Sequence, residues 1–186
     1  MLVALLSTKP GEADEVVSVL AQRLESGGYR LSGLVQTNVV RPDRCRCDMV
    51  LRDLATGREI GISQNLGDGA RGCRLDQGAL ETAAGWVEAS ISPDVEALVL
   101  NKFGKREAEG AGLRGAIAAA AALEIPVIAG LAPENREAWD AFCDGAGEVL
   151  PVDAIGEVMR RLATARQAAG PVTSEVCVSE RLHDQQ

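Results

Sequence analysis

The stretch LVALLSTKPGEADEVVSVLAQRLESGG, residues 2–28, decides the fold that the rest of this chain can adopt. Leu2 to Leu6 form a continuous apolar run, which is typical of a strand covered on both faces of a sheet. From about Glu12 to Ser26 the apolar residues recur at helical spacing, and Gly27-Gly28 ends the helix. A buried strand followed directly by an amphipathic helix predicts an α/β protein with a parallel sheet.

Strand and helix patterns continue to alternate along the chain, with one interruption after the second predicted strand, Leu31 to Gln36. Two β-rich runs, Asp48 to Leu54 and Arg58 to Ile62, flank a short turn that contains glycine. Runs joined this closely predict an antiparallel hairpin inserted into the alternating pattern. A helix from about Asp76 to Ile91 follows, and Asp76 or a neighbour is expected to cap it.

The second half of the chain repeats the alternation of strand and helix. Its predicted strands are Ala97–Leu100, Pro126–Ala129 and Glu148–Leu150, and its predicted helices are about Glu107–Leu123, Glu134–Cys143 and Asp153–Arg166. These elements predict one α/β domain over residues 1–168, with a mostly parallel sheet, helices on both faces and one inserted antiparallel hairpin. Residues 169–186 are polar and are expected to form a mobile tail.

Composition and charge narrow the classes of partner. The 186 residues carry a formal net charge of −8, and only 3% of them are aromatic. A nucleic-acid surface needs a basic face or aromatic stacking platforms, so we expect no nucleic-acid partner. No run approaches the roughly 20 apolar residues of a membrane span, and no basic segment precedes the apolar run at Leu2. The sequence therefore predicts a cytoplasmic protein without a membrane segment.

A loop rich in glycine and arginine, Gly67 to Asp76, concentrates groups that bind anions. Glycine lets backbone N–H groups crowd together, arginine supplies forked cationic donors, and the start of the next helix adds partial positive charge. The predicted binding residues of this loop are Gly69, Ala70, Arg71, Gly72, Cys73 and Arg74. The alternative interpretation is a tight turn whose arginines are simply solvated.

The loop after the first strand joins that strand to a helix, as the phosphate-binding sequence G-x-x-x-x-G-K-[ST] does. The comparison takes Gly11 as the second glycine, and the other defining positions then hold Leu6, Glu12 and Ala13. The lysine that reaches phosphates and the hydroxyl that holds magnesium are both replaced. We therefore expect this loop to be a poor site for a triphosphate, and the sequence does not support a magnesium ion there.

The predicted strand Ala97–Leu100 runs into the polar sequence Asn101-Lys102-Phe103-Gly104-Lys105. GTP-binding proteins read guanine through the aspartate of N-K-x-D, and glycine replaces that aspartate here. In other P-loop enzymes such a strand ends in acidic residues that support a metal or water, and Asn101 and Lys102 stand in their place here. We expect Asn101, Lys102 and Lys105 to add polar and positive groups to the pocket of the glycine-arginine loop. The alternative is a solvated basic turn.

Five cysteines are present, at Cys45, Cys47, Cys73, Cys143 and Cys177. An odd number without paired zinc-type spacing indicates neither a disulfide framework nor a standard zinc site. A soft-metal site of Cys45, Cys47 and Cys73 requires the fold to bring these three residues together. The sequence favours the alternative, which is a set of reduced thiols.

Four motifs, taken in order, carry a resemblance to a known family. They are Cys47-Asp48-Met49, Asp53-Leu54-Ala55-Thr56-Gly57, the sequence from Gly69 to Asp76, and the sequence from Asn101 to Gly110. Over residues 2–150 the chain resembles an uncharacterised bacterial family that is similar to thermophile-type nucleoside triphosphatases, with a degenerate P-loop. Genes of that family often lie near molybdate-uptake genes. The resemblance implies a P-loop-type α/β fold and a link to molybdenum, but it does not carry over hydrolysis.

Three functions are compatible with these observations. The favoured hypothesis is a non-hydrolysing protein that binds a small anionic ligand, namely molybdate, tungstate, phosphate or a nucleotide. The second is a nucleoside triphosphatase with an unorthodox site, in which Glu107, Glu109 or Asp48 activates water. The third is a partner-binding protein that keeps the fold with an inert pocket. The run Ala116 to Ala122 suits either close packing or a dimer seam, so a homo-oligomer stays open.

Overall fold

The computed structural model describes residues 1–39, 48–64 and 75–169. Within these ranges the strands are β1 (Leu2–Leu6), β2 (Leu31–Val39), β3 (Asp48–Asp53), β4 (Glu59–Gly61), β5 (Ala97–Phe103), β6 (Val127–Leu131) and β7 (Gly147–Pro151). The helices are α1 (Glu12–Ser26), α2 (Gln77–Ser90), α3 (Lys105–Ala108), α4 (Arg114–Ala122), α5 (Arg136–Cys143) and α6 (Ile155–Ala169). Short 3₁₀ turns at Pro133–Asn135 and Val152–Ala154 precede α5 and α6.

All the described strands join one sheet in the order β4-β3-β2-β5-β6-β1-β7. From β2 to β7 every neighbouring pair is parallel, whereas β3 is antiparallel to both β2 and β4. This confirms the predicted α/β class, the mostly parallel sheet and the inserted hairpin. Strand β2 also continues to Val39, beyond its predicted end, because its last residues pair with β3.

The helices cover both faces of the sheet, as the buried pattern of β1 predicts. On one face Val3 and Leu5 pack with the apolar sides of α1 and α6. On the other face Ala4 lies in a cluster with Phe103, Ile117 and Trp139, under α2, α4 and α5. Successive residues of a strand point to opposite faces, so a strand that is buried on both sides must be apolar throughout.

Helix α1 keeps the predicted bounds, Glu12 to Ser26, because its apolar spacing and the following glycines agree. Asp76 caps α2 as predicted, since its carboxylate accepts a hydrogen bond from the Ala79 N–H at 3.0 Å. The predicted strand that starts at Ala97 extends to Phe103. No helix in the described ranges is long and apolar enough to cross a membrane.

The single helix predicted over residues 107–123 is wrong, because the structure has α3 and α4 in its place. Between them Gly110 and Gly112 have φ angles of +89° and +61°, which interrupt a right-handed helix. The alanines from Ala116 to Ala122 favour helix. Between α3 and α4 the backbone turns instead, and the Leu113 N–H donates to the buried carboxylate of Glu107.

Candidate functional site

A pocket of about 730 Å³ lies at the carboxyl ends of β1, β2, β5 and β6. In open α/β sheets this edge is where ligands bind, because the loops that leave the strands can reshape it without disturbing the core. One end of the pocket is polar and is lined by Ser7, Lys9, Asp14, Asn101, Lys102 and Glu134. The other end, which we call the apolar wall, consists of Leu34, Met49, Leu51, Ile62, Leu75 and Leu80.

The loop between β1 and α1 forms the floor of the polar end. The Ser7 N–H donates to the Leu131 carbonyl at 3.0 Å and ties the end of β1 to the end of β6. The Lys9 N–H donates to the Ser7 hydroxyl at 3.1 Å, so the loop is closed onto itself by a side chain. Gly11 then adopts a left-handed φ of +80° and leads directly into α1.

Glu12 places a carboxylate on this loop, at the position where the phosphate-binding sequence has its lysine. The carboxylate accepts hydrogen bonds from the Ser7 hydroxyl at 2.5 Å and from the Lys9 ammonium at 3.1 Å. These two donors, the hydroxyl first, lower the pKa of Glu12 below its ordinary value. Glu12 is therefore ionised at neutral pH and neutralises Lys9.

Asn101 occupies the end of β5 and is buried. Its side-chain N–H₂ group donates to Asp14 Oδ1 at 3.0 Å and to Gln36 Oε1 at 3.3 Å, and its side-chain oxygen accepts from the Gln36 N–H at 3.3 Å. One amide thus joins α1, β2 and β5 at the base of the pocket. An amide cannot take the place of a carboxylate as a base or as a charged metal ligand.

The two predicted lysines differ in their surroundings. The side chain of Lys105 is 84% exposed, and its Nζ atom lies 3.7 Å from Oε1 of Glu109, four residues later in the sequence. Lys102 is exposed and lines the pocket, and in the described part of the chain it has no carboxylate partner. Arg106, which also lines the pocket, forms an ion pair with Glu81. Lys102 is therefore the lining cation that is available to a ligand within the described ranges.

Glu107, one of the residues considered for water activation, is 5% exposed. Its two oxygens accept backbone hydrogen bonds, one from the Gly104 N–H at 2.9 Å and one from the Leu113 N–H at 3.0 Å. This carboxylate holds the turn between α3 and α4 together. Glu109 is exposed beside Lys105, and Asp48 begins β3 opposite Val39.

Many of the predicted site residues lie outside the described residues. They are the anion-binding loop residues Gly69, Ala70, Arg71, Gly72, Cys73 and Arg74, and the metal candidates Cys45 and Cys47. Leu75, the residue after Arg74 in sequence, lines the pocket. Among the described residues no group of three or more His, Cys, Asp or Glu side chains is placed to hold a metal ion. Cys143 is buried, and burial raises the pKa of its thiol to about 11.

Sequence reasoning missed two parts of the site. Gln36 ends the predicted second strand and Asp14 lies in the first turn of α1, so their positions at the carboxyl edge were a usable signal. The residues of the apolar wall carried no such signal. Each of these residues is apolar, like an ordinary core residue, and only the fold shows that together they line a cavity.

The strand order, the loop from β1 into α1 and a pocket at the carboxyl edge define a P-loop NTPase-like α/β fold. The fold is similar to the solution structure of a human cancer-related nucleoside triphosphatase, with a TM-score of 0.60 and 16% identity. That match covers 89% of this chain and 98% of the human one. The chain belongs to the family described as "Protein of unknown function (DUF2478)", whose model matches residues 2–157.

A curated relative gives a closer match in sequence. The molybdenum import ATP-binding protein ModC 2 of Bradyrhizobium diazoefficiens (strain JCM 10833 / BCRC 13528 / IAM 13628 / NBRC 14792 / USDA 110) is 40% identical over 149 residues. The match covers 80% of this chain but only 17% of the relative. The chain therefore corresponds to a small part of that longer protein.

Proposed function

We propose that this protein binds an oxyanion or a nucleotide at the carboxyl-edge pocket without hydrolysing it. The observation that carries the proposal is the position of Lys102, a lining cation without a carboxylate partner among the described residues, beside the loop that leads into α1. Anions are held well by such a combination of a cation and polar groups at a strand edge. The pocket of about 730 Å³ has room for a nucleotide as well as for a small anion.

The names of the relatives agree with this proposal. The curated relative is named as an ATP-binding protein of molybdenum import, and the structural neighbour is a nucleoside triphosphatase. We therefore include molybdate and tungstate among the candidate ligands and assign the protein a role linked to molybdenum. Both are tetrahedral dianions, so the donors that suit phosphate also suit them.

Three features support binding without hydrolysis. Glu12 stands where a phosphate-binding loop has lysine, and its charge opposes a polyphosphate. Asn101 supplies a buried amide at the strand end instead of a carboxylate. Both oxygens of Glu107 accept backbone hydrogen bonds, so this carboxylate is not placed to activate water.

A thermal-shift panel of phosphate, molybdate, tungstate, ATP and GTP tests the proposal. A ligand that binds only the folded protein raises the melting temperature by mass action. We expect at least one of these compounds to do so, and we expect no phosphate release from ATP or GTP in the presence of magnesium. If no compound shifts the melting temperature at millimolar concentration, the binding proposal is wrong. Steady phosphate release would instead establish an enzyme.

The glycine-arginine loop stays part of the proposal. Arg71→Ala or Arg74→Ala is expected to weaken anion binding by about 1–3 kcal/mol, the range of a charge-assisted hydrogen bond. Arg160→Ala is the matched control, since Arg160 lies on α6 and pairs with Glu157 on its own helix. Isothermal titration of folded variants measures the effect. Wild-type affinity in both loop variants would remove the loop from the site.

A further inference from the structure

We infer that Arg106 is a further ligand-binding residue of the carboxyl-edge pocket, and that Glu81 holds its guanidinium until an anion displaces that carboxylate. Arg106 lies on α3 and Glu81 lies on α2. The inference rests on the proposed function and deepens it, because it names a further contact for the anion and a carboxylate that competes for that contact. It makes no choice among the candidate anions.

The position of the ion pair is the first argument. Arg106 lines the pocket, four residues after Lys102, whereas Glu81 is not among the described residues that line it. The Arg106 Nη2 atom donates to Glu81 Oε1 at 2.5 Å, and the two side chains are 29% and 48% exposed. An ion pair exposed to this degree stabilises a fold little, because water and salt screen it. A competing anion therefore loses little by breaking it.

An unused hydrogen-bond donor is the second argument. The Nε atom of Arg106 is buried from solvent and has no hydrogen-bond acceptor in the described part of the chain. A buried N–H group without an acceptor is unfavourable, so the contact with Glu81 leaves the guanidinium incompletely satisfied. The oxygens of a phosphate-like group can accept from Nε and one Nη atom at the same time. The side chain must rotate for this, because Nε is buried in the arrangement with Glu81.

Another ion pair between two elements of this chain has a different geometry. Arg52 on β3 donates through Nη1 and Nη2 to both carboxylate oxygens of Glu25 on α1, at 2.8 and 3.0 Å. Neither of these two residues lines the pocket. A forked pair of this kind uses both donors and both acceptors, whereas Arg106 contacts Glu81 through one nitrogen. The incompletely used guanidinium therefore belongs to the arginine that lines the pocket.

The backbone around Arg106 is held in place, so only the side chain has to move. The Arg106 carbonyl accepts a hydrogen bond from the Ala111 N–H at 2.9 Å. The neighbouring Glu107 carboxylate accepts from backbone N–H groups before and after α3. A side chain that starts from such a fixed turn can exchange Glu81 for a ligand without a change in the fold.

Isothermal titration with phosphate, molybdate, AMP and ATP tests the inference in variants of both residues. Arg106→Ala is expected to weaken the binding of every anion that binds the wild type, by about tenfold or more. Arg106→Lys is expected to lose less, because lysine keeps the charge without the fork, and it replaces the alanine variant if that variant does not fold. Glu81→Gln is expected to strengthen the same anions two- to fivefold, because it releases Arg106. Opposite effects identify competition, since both changes break the same ion pair.

A double variant and the second ion pair provide the controls. In the Arg106→Ala background, Glu81→Gln is expected to change the affinity less than twofold. A full gain in that background would come from the removal of a negative charge alone and would contradict competition for Arg106. Arg52→Ala and Glu25→Gln break the pair that does not line the pocket, and both are expected to stay within twofold of the wild-type affinity.

The outcomes separate this inference from the proposed function. If the wild type binds an anion and Arg106→Ala binds it equally well, Arg106 is not a ligand contact and only the inference is wrong. If Arg106→Ala and Glu81→Gln weaken binding alike, the ion pair has a structural role and the inference is again wrong while anion binding stands. If no anion binds the wild type or Glu81→Gln at millimolar concentration, the proposed function fails and the inference fails with it.

Discussion

Glu12 shows how one residue can change what a loop binds. Its carboxylate contacts the Ser7 hydroxyl and the Lys9 ammonium, the two groups of the β1–α1 loop that an anionic ligand would otherwise use. Because the pKa of Glu12 is lowered in the folded protein, the contacts of its ionised carboxylate contribute fully to stability above the ordinary carboxyl pKa. This contribution to stability is lost only as the pH falls through the lowered value. At physiological pH the Glu12 carboxylate therefore holds the two groups of the loop, the Ser7 hydroxyl and the Lys9 ammonium, that an anion would otherwise contact.

Glu12→Gln removes that charge and leaves the shape of the side chain almost unchanged. We expect it to strengthen the binding of phosphate-containing ligands by roughly two- to fivefold, because Lys9 is released and a repulsive charge is removed. Titration calorimetry at two salt concentrations measures this gain, which is expected to shrink at high salt.

The control for this change is Glu15→Gln, since Glu15 lies in the same first turn of α1 and is exposed. A variant at Glu12 that binds no better than the one at Glu15 would mean that Glu12 does not compete with the ligand.

Glu107 has a structural role that is testable by stability. Glu107→Gln replaces one accepting oxygen by an N–H₂ group, which leaves the N–H of Gly104 or of Leu113 without an acceptor. We expect a loss of about 1–3 kcal/mol in the free energy of unfolding, the usual cost of an unsatisfied buried group. Urea denaturation measures it.

Glu109→Gln provides the comparison for Glu107→Gln, because Glu109 is exposed and pairs with Lys105 at the surface. Its expected effect is below about 0.5 kcal/mol. Equal stabilities of the two variants would contradict the structural role of Glu107.

At the scale of elements, the pairing of β2 with β5 depends on one glycine. Gly33 has a φ of +125°, and a Cβ atom built there would lie 1.8 Å from the Val99 carbonyl oxygen. The strands could not keep this spacing with a larger residue, because the obstacle is backbone. The Gly33 carbonyl also accepts the Leu54 N–H at 2.9 Å, which anchors the start of the turn between β3 and β4.

Gly33→Ala is therefore expected to destabilise the fold by more than about 3 kcal/mol, through the clash and the unfavourable backbone angle together. Gly61→Ala in β4 is the matched change, since Gly61 has no atom within 4 Å of an added Cβ and no positive φ. We expect that second variant to stay within about 0.5 kcal/mol of the parent. Thermal unfolding, monitored by circular dichroism, measures the difference in stability between the two variants.

The elements also show how far the sequence predicts this molecule. The bounds of α1 follow from local information, because apolar spacing and the final glycines agree within one segment. The break between α3 and α4 also involves a contact that local sequence does not show, because the buried Glu107 carboxylate accepts from the N–H groups of Gly104, just before α3, and Leu113, just before α4. Lys102 was predictable from its place after a buried strand, but the apolar wall needed residues from four separate segments to come together.

At the scale of the whole molecule, Arg166 connects the last helix to the end of the first. Its guanidinium donates to the carbonyls of Gly27 and Gly28, both at 3.0 Å, and forms an ion pair with Glu96 at 2.9 Å. It also lies over the Tyr29 ring at 4.4 Å. The carbonyls at a helix C-terminus carry partial negative charge, so a cation there stabilises α1 as well as the contact.

Arg166→Ala removes all of these contacts, and we expect it to cost about 1–2 kcal/mol in the free energy of unfolding. Arg166→Lys keeps the charge but not the forked donor geometry, so its cost is expected to be intermediate. Guanidinium unfolding with Arg160→Ala as the reference variant tests this, since Arg160 is 77% exposed in its side chain. A loss of stability in Arg166→Ala no larger than that in Arg160→Ala would show that the contacts of Arg166 do not stabilise the fold.

The two outer strands of the described sheet, β4 and β7, are poorly suited to pair with a strand of another chain in concentrated solution. Strand β4 offers only three residues, and β7 carries Glu148, bound by Arg161, and ends at Pro151, which has no N–H to donate. Short strands, charged side chains and proline at an edge all oppose the addition of another chain. The described sheet is thus built against self-templated fibril growth, and concentrated samples are expected to stay negative for amyloid dyes.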